Sequence, residues 1–128
     1  MKIVILYGSP RKGDTYEIVD KVKSQLNVLS TDHLEFDEVF LTDNDYGFCN
    51  GCYNCFEFGE DKCPHYNQIN PIIDKIKACD GLIVTSPVYV LHVTAMLKTS
   101  LTIWLIFITG LISSLKRHWR SHQQEVLE

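Results

Sequence analysis

Residues 2–15 have the sequence KIVILYGSPRKGDT, in which an apolar run ends at a glycine-containing turn. The run at residues 2–7 is continuous and rich in branched side chains, which predicts a strand buried on both faces, as in parallel sheets. Over residues 15–29, apolar side chains recur at helical spacing, with Asp14 or Thr15 available as the N-cap. Strand, turn and helix in this order predict the start of a βαβ unit.

The same alternation continues along the chain. The patterns predict a second strand at residues 33–41, a second helix at 69–79, a third buried strand at 82–85 and a third helix after His92. The predicted fold class is therefore α/β, with three layers around a parallel sheet and a cysteine-rich insertion at residues 44–66. A complete doubly wound domain has about five βα units, and this chain has room for about three.

The composition indicates one soluble globular domain. The 128 residues are 45% hydrophobic and 22% charged, which argues against disorder. Sixteen acidic residues against twelve lysines and arginines give a net charge of −4, so we expect no nucleic acid partner. The N-terminal apolar run is too short for a signal peptide, and the reducing cytoplasm is the expected compartment.

The turn after the first strand has the chemistry of an anion site. Backbone N–H groups and the positive end of the next helix attract a phosphate. Ser9 and Thr15 add hydroxyl donors, and Arg11 and Lys12 add positive charge. The turn is neither a Walker A loop nor a G-x-G-x-x-G loop, and its groups suit the monophosphate of FMN. The alternative is a surface turn with two solvated charges.

A second candidate segment, Thr85-Ser86-Pro87-Val88-Tyr89, follows the third strand. If the strand order is 2-1-3, the carboxyl ends of the first and third strands flank one crevice, and open α/β sheets bind ligands there. Tyr89 could then lie against a flat ring, with the backbone near Pro87 and Val88 at its polar edge. The alternative is an ordinary strand-ending turn with a packing tyrosine.

Four cysteines stand close together in the insertion, with the spacing C-x2-C-x2-C-x7-C-P: Cys49, Cys52, Cys55 and Cys63. Four thiolates can hold a [4Fe–4S] cluster, and the spacing is similar to that of ferredoxins. Gly51 and Gly59 permit the left-handed turns that wrap a backbone around a cluster. Zinc and redox-active thiols are the alternatives. Cys79, at helical spacing with Ile72 and Ile76, is predicted to be a core residue.

Together with the segment Thr94-Ala95-Met96-Leu97-Lys98, these three motifs resemble the NADPH-dependent FMN reductase family, and within it the iron–sulfur flavoprotein branch. The resemblance covers residues 1–98. It implies a flavodoxin-like fold, bound FMN, and electrons from a reduced nicotinamide or a ferredoxin-type donor. By position, it implies that the FMN phosphate is held by Ser9, Arg11, Thr15 and Tyr16, and that the flavin ring is lined by Pro87, Val88 and Tyr89.

The resemblance ends at Lys98. An uncharged apolar run then extends to Leu115, followed by a basic stretch and a polar end. Translated with each codon starting one base earlier, this region can encode segments typical of the family. We therefore interpret residues 99–128 as the frameshifted or truncated tail of one incomplete domain, residues 1–128. A membrane anchor is the competing interpretation, because the apolar run is near the lower limit for spanning a bilayer.

The expected function is that of an NAD(P)H-dependent FMN oxidoreductase that transfers electrons. The alternatives are a non-enzymatic electron carrier or metal-binding module, and a truncated, inactive product. The family's glycine-rich loop after a fourth strand is absent, so we expect weaker FMN binding than in full-length relatives. An open sheet edge favours self-association, so a homo-oligomer is expected. No residue is assigned a catalytic role.

Overall fold

The computed structural model describes residues 1–43, 45 and 47–108, including the side chains of all of these except residues 105–108. Two short 3-10 turns, Leu41–Asp43 and Glu60–Lys62, accompany the main elements. In chain order, those elements are β1 (Lys2–Tyr7), α1 (Asp14–Leu29), β2 (Glu35–Phe40), α2 (Asn54–Glu57), α3 (Tyr66–Lys77), β3 (Gly81–Thr85) and α4 (Ala95–Ile108).

The three strands form one parallel sheet in the order β2-β1-β3. Tyr7, the last residue of β1, is in register with Phe40 on one side and with Thr85 on the other. The predicted α/β fold is therefore confirmed, and the strand order meets the 2-1-3 condition under which the first and third strands flank one crevice. Because parallel strands end at the same edge, the loops that follow β1 and β3 start side by side.

Strand β1 is buried on both faces, as its continuous apolar sequence predicts. Val4 and Leu6 pack with α3 and α4 in one core cluster. Ile3, Ile5 and Tyr7 face the opposite side, where Val19 of α1 joins them. The alternation of side chains along one central strand thus joins two helical layers to a single sheet.

Strand β3 is not fully buried, so this prediction is wrong. Leu82 and Val84 are 43% and 44% exposed, although they share a face with Val4 and Leu6 of β1. The helices on that face pack over β1 and β2 instead. In the described part of the chain, β3 is an edge strand that pairs with β1 alone.

Several element boundaries differ from the predictions, with the largest differences at α3. The N-cap of α1 is Gly13 rather than Asp14 or Thr15, because the helix begins one residue earlier than predicted. Helix α3 begins at Tyr66, inside the predicted insertion, and ends at Lys77. Cys79 therefore follows the helix, where its thiol donates to the carbonyl of Ile76 at 3.1 Å and packs against the core as predicted.

Helix α4 crosses Thr99, where the sequence analysis places the start of an aberrant tail. Beyond that point it buries Ser100, Ile103 and Trp104. Residues 109–128 of the predicted tail lie outside the described residues. Among the described helices, none has the length and apolar character needed to cross a membrane.

An ion-pair cluster joins the start of the sheet to α3. The Asp37 carboxylate of β2 lies 2.9 Å from the Lys75 ammonium and 3.6 Å from that of Lys2. The hydrogen bond from Lys75 lowers the pKa of Asp37, while partial burial acts in the opposite direction. This cluster therefore makes stability depend on pH.

We expect Asp37→Asn to lower the free energy of unfolding by about 1 kcal/mol at neutral pH, because the pair is only partly buried. Since the folded-state pKa is lowered, the stabilisation is present above the ordinary value of 3.8 and is lost as the pH falls through the lowered pKa. Urea unfolding from about pH 7 to pH 3 measures the difference between wild type and variant. A difference that does not shrink in acid contradicts the assignment. In a Lys75→Gln background, which lacks the main partner of Asp37, Asp37→Asn should lower the free energy of unfolding by less at neutral pH.

Candidate functional site

The first loop, residues 8–13, connects β1 to α1 and is held by its own serine. The hydroxyl of Ser9 donates to the carbonyl of Arg11 at 2.6 Å and accepts from the Arg11 N–H at 3.3 Å. Ser9 is buried, whereas Arg11 and Lys12 are exposed. The structure thus places a turn held by Ser9 at the sheet edge, with two exposed cations, Arg11 and Lys12, beside it.

The N-terminus of α1 closes this loop. The cap residue is Gly13, and no side chain caps the first turn. A Cβ added at Gly13 would meet no heavy atom within 4 Å. Thr15 and Tyr16, both half-buried, lie in that first turn. The uncapped N–H groups and the open space beside them provide what an anion needs at a helix N-terminus.

Lys12 contacts aromatic rings, which the sequence analysis did not predict. Its ammonium lies 5.1 Å from the ring centroids of both Tyr16 and Phe40. The Phe40 ring stacks on Tyr7 at 4.5 Å between centroids. Cation–π contacts of this kind hold a lysine in place. The apolar end of β2 was visible in the sequence, but its approach to Lys12 depends on strand pairing.

Tyr7 forms the base of this aromatic group. It is buried, and its hydroxyl donates to the Glu38 carboxylate at 3.0 Å. Burial raises the pKa of Tyr7, and the hydrogen bond to Glu38 raises it further. Lys23 completes the network with an ion pair to Glu38 at 2.8 Å. Tyr7 therefore stays protonated and acts as a fixed hydrogen-bond donor at the sheet edge.

The second loop, residues 86–94, connects β3 to α4 and carries the predicted ring-binding residues. Pro87 is half-buried, whereas Val88 and Tyr89 are exposed. Tyr89 and His92 exchange backbone hydrogen bonds of 2.8 and 3.0 Å, which close a tight turn. At its tip, Val90 and Leu91 have φ angles of 50° and 62°. The left-handed region is rarely occupied by a β-branched residue such as Val90, so this turn is strained.

The two loops meet at Gly8 and Thr94. The Gly8 N–H donates to the Thr85 carbonyl at 2.8 Å, and the Thr94 hydroxyl donates to the Gly8 carbonyl at 2.6 Å. Both predicted flavin-binding segments are thus anchored at one point of the sheet edge. The sequence analysis quoted Thr94 as part of a motif but gave it no role.

The four cysteines of the insertion line one cavity of about 180 Å³. Cys49 and Cys52 are exposed, and Cys55 and Cys63 are half-buried. Other walls of the cavity come from His65 and from Ile103 of α4. Folding therefore brings together the four cysteines that the spacing predicts as ligands.

Left-handed backbone shapes the insertion, as its glycines predict. Gly51 and Gly59 have φ angles of 68° and 116°, and Gly47 has a φ angle of 65°. Tyr53, at 60°, adopts the same region without being a glycine. These turns bend the chain repeatedly between Cys49 and Cys63, which keeps the cysteines in one small region.

The thiols of the insertion interact electrostatically, and the effect is seen in the pKa of Cys55. Burial raises the pKa of Cys55, and the neighbouring thiolates raise it further, with Cys63 contributing more than Cys52 and Cys49. Among the described residues, no three Cys, His, Asp or Glu side chains are close enough to share a single metal ion.

A parallel sheet of order 2-1-3, with helices on both faces and two loops that meet at its carboxyl edge, matches a flavodoxin-like α/β fold. The chain belongs to the NADPH-dependent FMN reductase family, whose model matches residues 1–105.

Three curated relatives are each named iron–sulfur flavoprotein. The protein of Methanocaldococcus jannaschii is 37% identical over 99 residues, which are 77% of this chain and 49% of the relative. That of Methanosarcina thermophila is 35% identical over 98 residues, with the same coverage of 77% and 49%. That of Archaeoglobus fulgidus is 33% identical over 100 residues, or 77% and 43%. The chain spans about half the length of these relatives.

Proposed function

We propose that this chain binds FMN and an iron–sulfur cluster in an oxidoreductase that takes electrons from NADH, NADPH or a ferredoxin-type donor. The observation that carries the proposal is that α4 contacts both candidate sites. Leu97 packs against Gly8 of the first loop, and Ile103 lines the cysteine cavity. Leu97 and Ile103 are six positions apart in α4, which corresponds to about 9 Å along the helix axis. The two cofactors would therefore be close neighbours.

The residues at the sheet edge fit FMN. Arg11, the uncapped first turn of α1 and the hydroxyl of Thr15 offer charge and donors to the phosphate. Ser9 shapes the turn. The Tyr16 ring, with the Lys12 ammonium over its face, lines one side of it. Pro87, Val88 and Tyr89 offer backbone groups and an exposed ring to the flavin. These roles follow the family resemblance and the position of each residue at one edge.

The cysteines fit a multi-iron cluster better than one zinc ion. Zinc holds each thiolate at about 2.3 Å, so its ligands lie about 4 Å apart. A four-iron cluster takes one cysteine per iron, which spaces the sulfurs more widely. The shared cavity of about 180 Å³, lined by all four cysteines, and their ferredoxin-like spacing support the cluster. Cys49, Cys52, Cys55 and Cys63 would be its ligands.

When bound, FMN accepts a hydride with its two electrons and the cluster passes electrons one at a time, so the pair couples a two-electron donor to a one-electron acceptor. The chain's part is to hold both groups beside α4. The thiols require a reducing compartment, for which we propose the cytoplasm. In the described part of the chain β3 has an open edge, which supports a homo-oligomer.

The test is the cofactor content of protein purified without oxygen. We expect bound FMN and about four iron atoms per chain. Cys52→Ala should lose the iron and keep the FMN. Cys79→Ala is the matched control: this cysteine lies outside the cavity, and its loss should leave the iron in place. Zinc in place of iron, or iron that survives Cys52→Ala, would overturn the cluster.

The flavin half of the proposal is tested separately by titrating FMN into the cluster-free Cys52→Ala protein. Saturable binding is expected, because the two flavin loops lie outside the cysteine cavity. If neither protein binds FMN and the wild type contains iron, a metal-binding electron carrier is favoured. Absence of both FMN and metal would favour an inactive chain.

A further inference from the structure

Thr94 uses its hydroxyl and its backbone N–H at the junction of the two candidate flavin loops. It is 2% exposed and directly precedes α4. Its hydroxyl donates to the Gly8 carbonyl at 2.6 Å and accepts from the Leu97 N–H at 3.4 Å. Its own N–H donates to the Ser86 hydroxyl at 3.0 Å. The Thr94 hydroxyl thus caps α4 and ties the first loop to it, while the Thr94 backbone N–H holds Ser86 of the second loop.

In the first loop, Thr94 binds Gly8, whose backbone N–H and carbonyl are both hydrogen-bonded. Gly8 donates its N–H to Thr85 and accepts from Thr94, so both of its backbone polar groups are held. A Cβ at Gly8 would lie 2.9 Å from the Leu97 Cβ and from the Thr85 carbonyl oxygen. The position at which the first loop leaves the sheet is therefore set by β3 and α4 together.

On the second-loop side, Thr94 acts through a serine. The Ser86 hydroxyl accepts from the Thr94 N–H and donates to the Pro87 carbonyl at 2.9 Å. Pro87 is the first of the predicted ring-binding residues. A chain of hydrogen bonds therefore runs from Gly8 through Thr94 and Ser86 to Pro87, linking the phosphate side of the site to the ring side.

We propose that Thr94 is a positioning residue that sets the distance between the phosphate-binding loop and the ring-binding loop. This inference rests on the proposed binding of FMN. The Thr94 hydroxyl is buried and faces Gly8, so it acts through the loops instead of touching the cofactor. Because FMN spans both loops, its affinity depends on their separation, whereas riboflavin, which lacks the phosphate, depends mainly on the ring side.

The expected effect is a loss of discrimination between the two flavins. Thr94→Val keeps the shape of the side chain and removes its hydroxyl. We expect FMN affinity to fall about fivefold to tenfold, as for one lost buried hydrogen bond, and riboflavin affinity to fall less. Thr94→Ser keeps the hydroxyl and should restore the FMN-to-riboflavin ratio. A purely structural role would lower stability and leave that ratio unchanged.

Ser100→Ala is the matched control on the same helix. Ser100 is fully buried, and its hydroxyl donates to the Met96 carbonyl at 2.8 Å. Its loss should lower stability and leave the ratio of flavin affinities unchanged. If Thr94→Val behaves like Ser100→Ala, with an unchanged ratio, the positioning role is wrong while flavin binding stands.

Hydrogen exchange tests the same inference without flavin. The Gly8 amide should exchange faster in Thr94→Val than in wild type or Ser100→Ala, because its loop loses one of two anchors. Unchanged exchange at Gly8 would overturn the proposed anchoring. Wild-type protein that binds neither flavin would overturn the proposed function, a result distinct from flavin binding with an unchanged ratio.

Discussion

Trp104→Ala is expected to lower the free energy of unfolding by about 3–5 kcal/mol, the range for truncating a large aromatic side chain in a core. Trp104 is 1% exposed and belongs to the cluster that also contains Val4 and Leu6 of the central strand. Total domain stabilities are about 5–15 kcal/mol, so this one change removes a large share. The measurement is urea unfolding followed by circular dichroism.

Two further variants make the Trp104 result interpretable. Trp104→Phe retains an aromatic ring and should cost less than the alanine change, which keeps the test usable if the alanine variant does not fold. Leu101→Ala, on the same helix but 39% exposed, should cost well under half as much. Equal, small effects for Trp104→Ala and Leu101→Ala would contradict the packing of α4 beyond Thr99.

Gly8→Ala is expected to lower the free energy of unfolding by about 1–3 kcal/mol and to weaken FMN binding. The new methyl group would lie 2.9 Å from the Thr85 carbonyl oxygen, a backbone atom that cannot turn away, and 2.9 Å from the Leu97 Cβ. The first loop would therefore have to shift from β3 or from α4. Unfolding and FMN titration on the same preparation measure both effects.

Gly81→Ala is the matched control for Gly8→Ala. A methyl group at Gly81 would lie 3.6 Å from Ile3, an ordinary contact, and the residue has no left-handed φ angle. Its stability should change by less than about 0.5 kcal/mol, in either direction. If Gly8→Ala is tolerated equally well, the close approach of the loop to β3 and α4 is wrong.

The central part of the fold could be predicted because its signal is local. Residues 3–7 form a continuous apolar run, and only a strand covered on both faces buries every one of those side chains. The βαβ pattern predicts parallel strands, whereas the order 2-1-3 entered only as a condition that the structure then met. The burial of β3 could not be predicted in the same way. Leu82 and Val84 are as apolar as their neighbours, and their exposure depends on which strands the helices cover.

In the candidate site, too, the features set by local sequence were predictable, and those that depend on contacts distant in the chain were not. The four cysteines were predictable because their spacing brings them together whatever the rest of the chain does, and they line one cavity. The Lys12 contacts with Tyr16 and Phe40 were not predictable, because Phe40 arrives through pairing of β2 with β1. Thr94 was missed for the same reason. Its main partner, Gly8, is 86 residues away in sequence.

The middle position of β1 affects how the chain folds while it is being synthesised. This strand leaves the ribosome before β2 and β3. Its Lys2 N–H nevertheless donates to the Asp80 carboxylate, 78 residues later in the chain. At about 5–20 residues per second, roughly 4–16 s pass before β3 is available to pair. During those seconds the most apolar strand of the sheet lacks a permanent neighbour on one side. Early pairing with β2 covers only one edge of β1, so the other edge stays open until β3 is made.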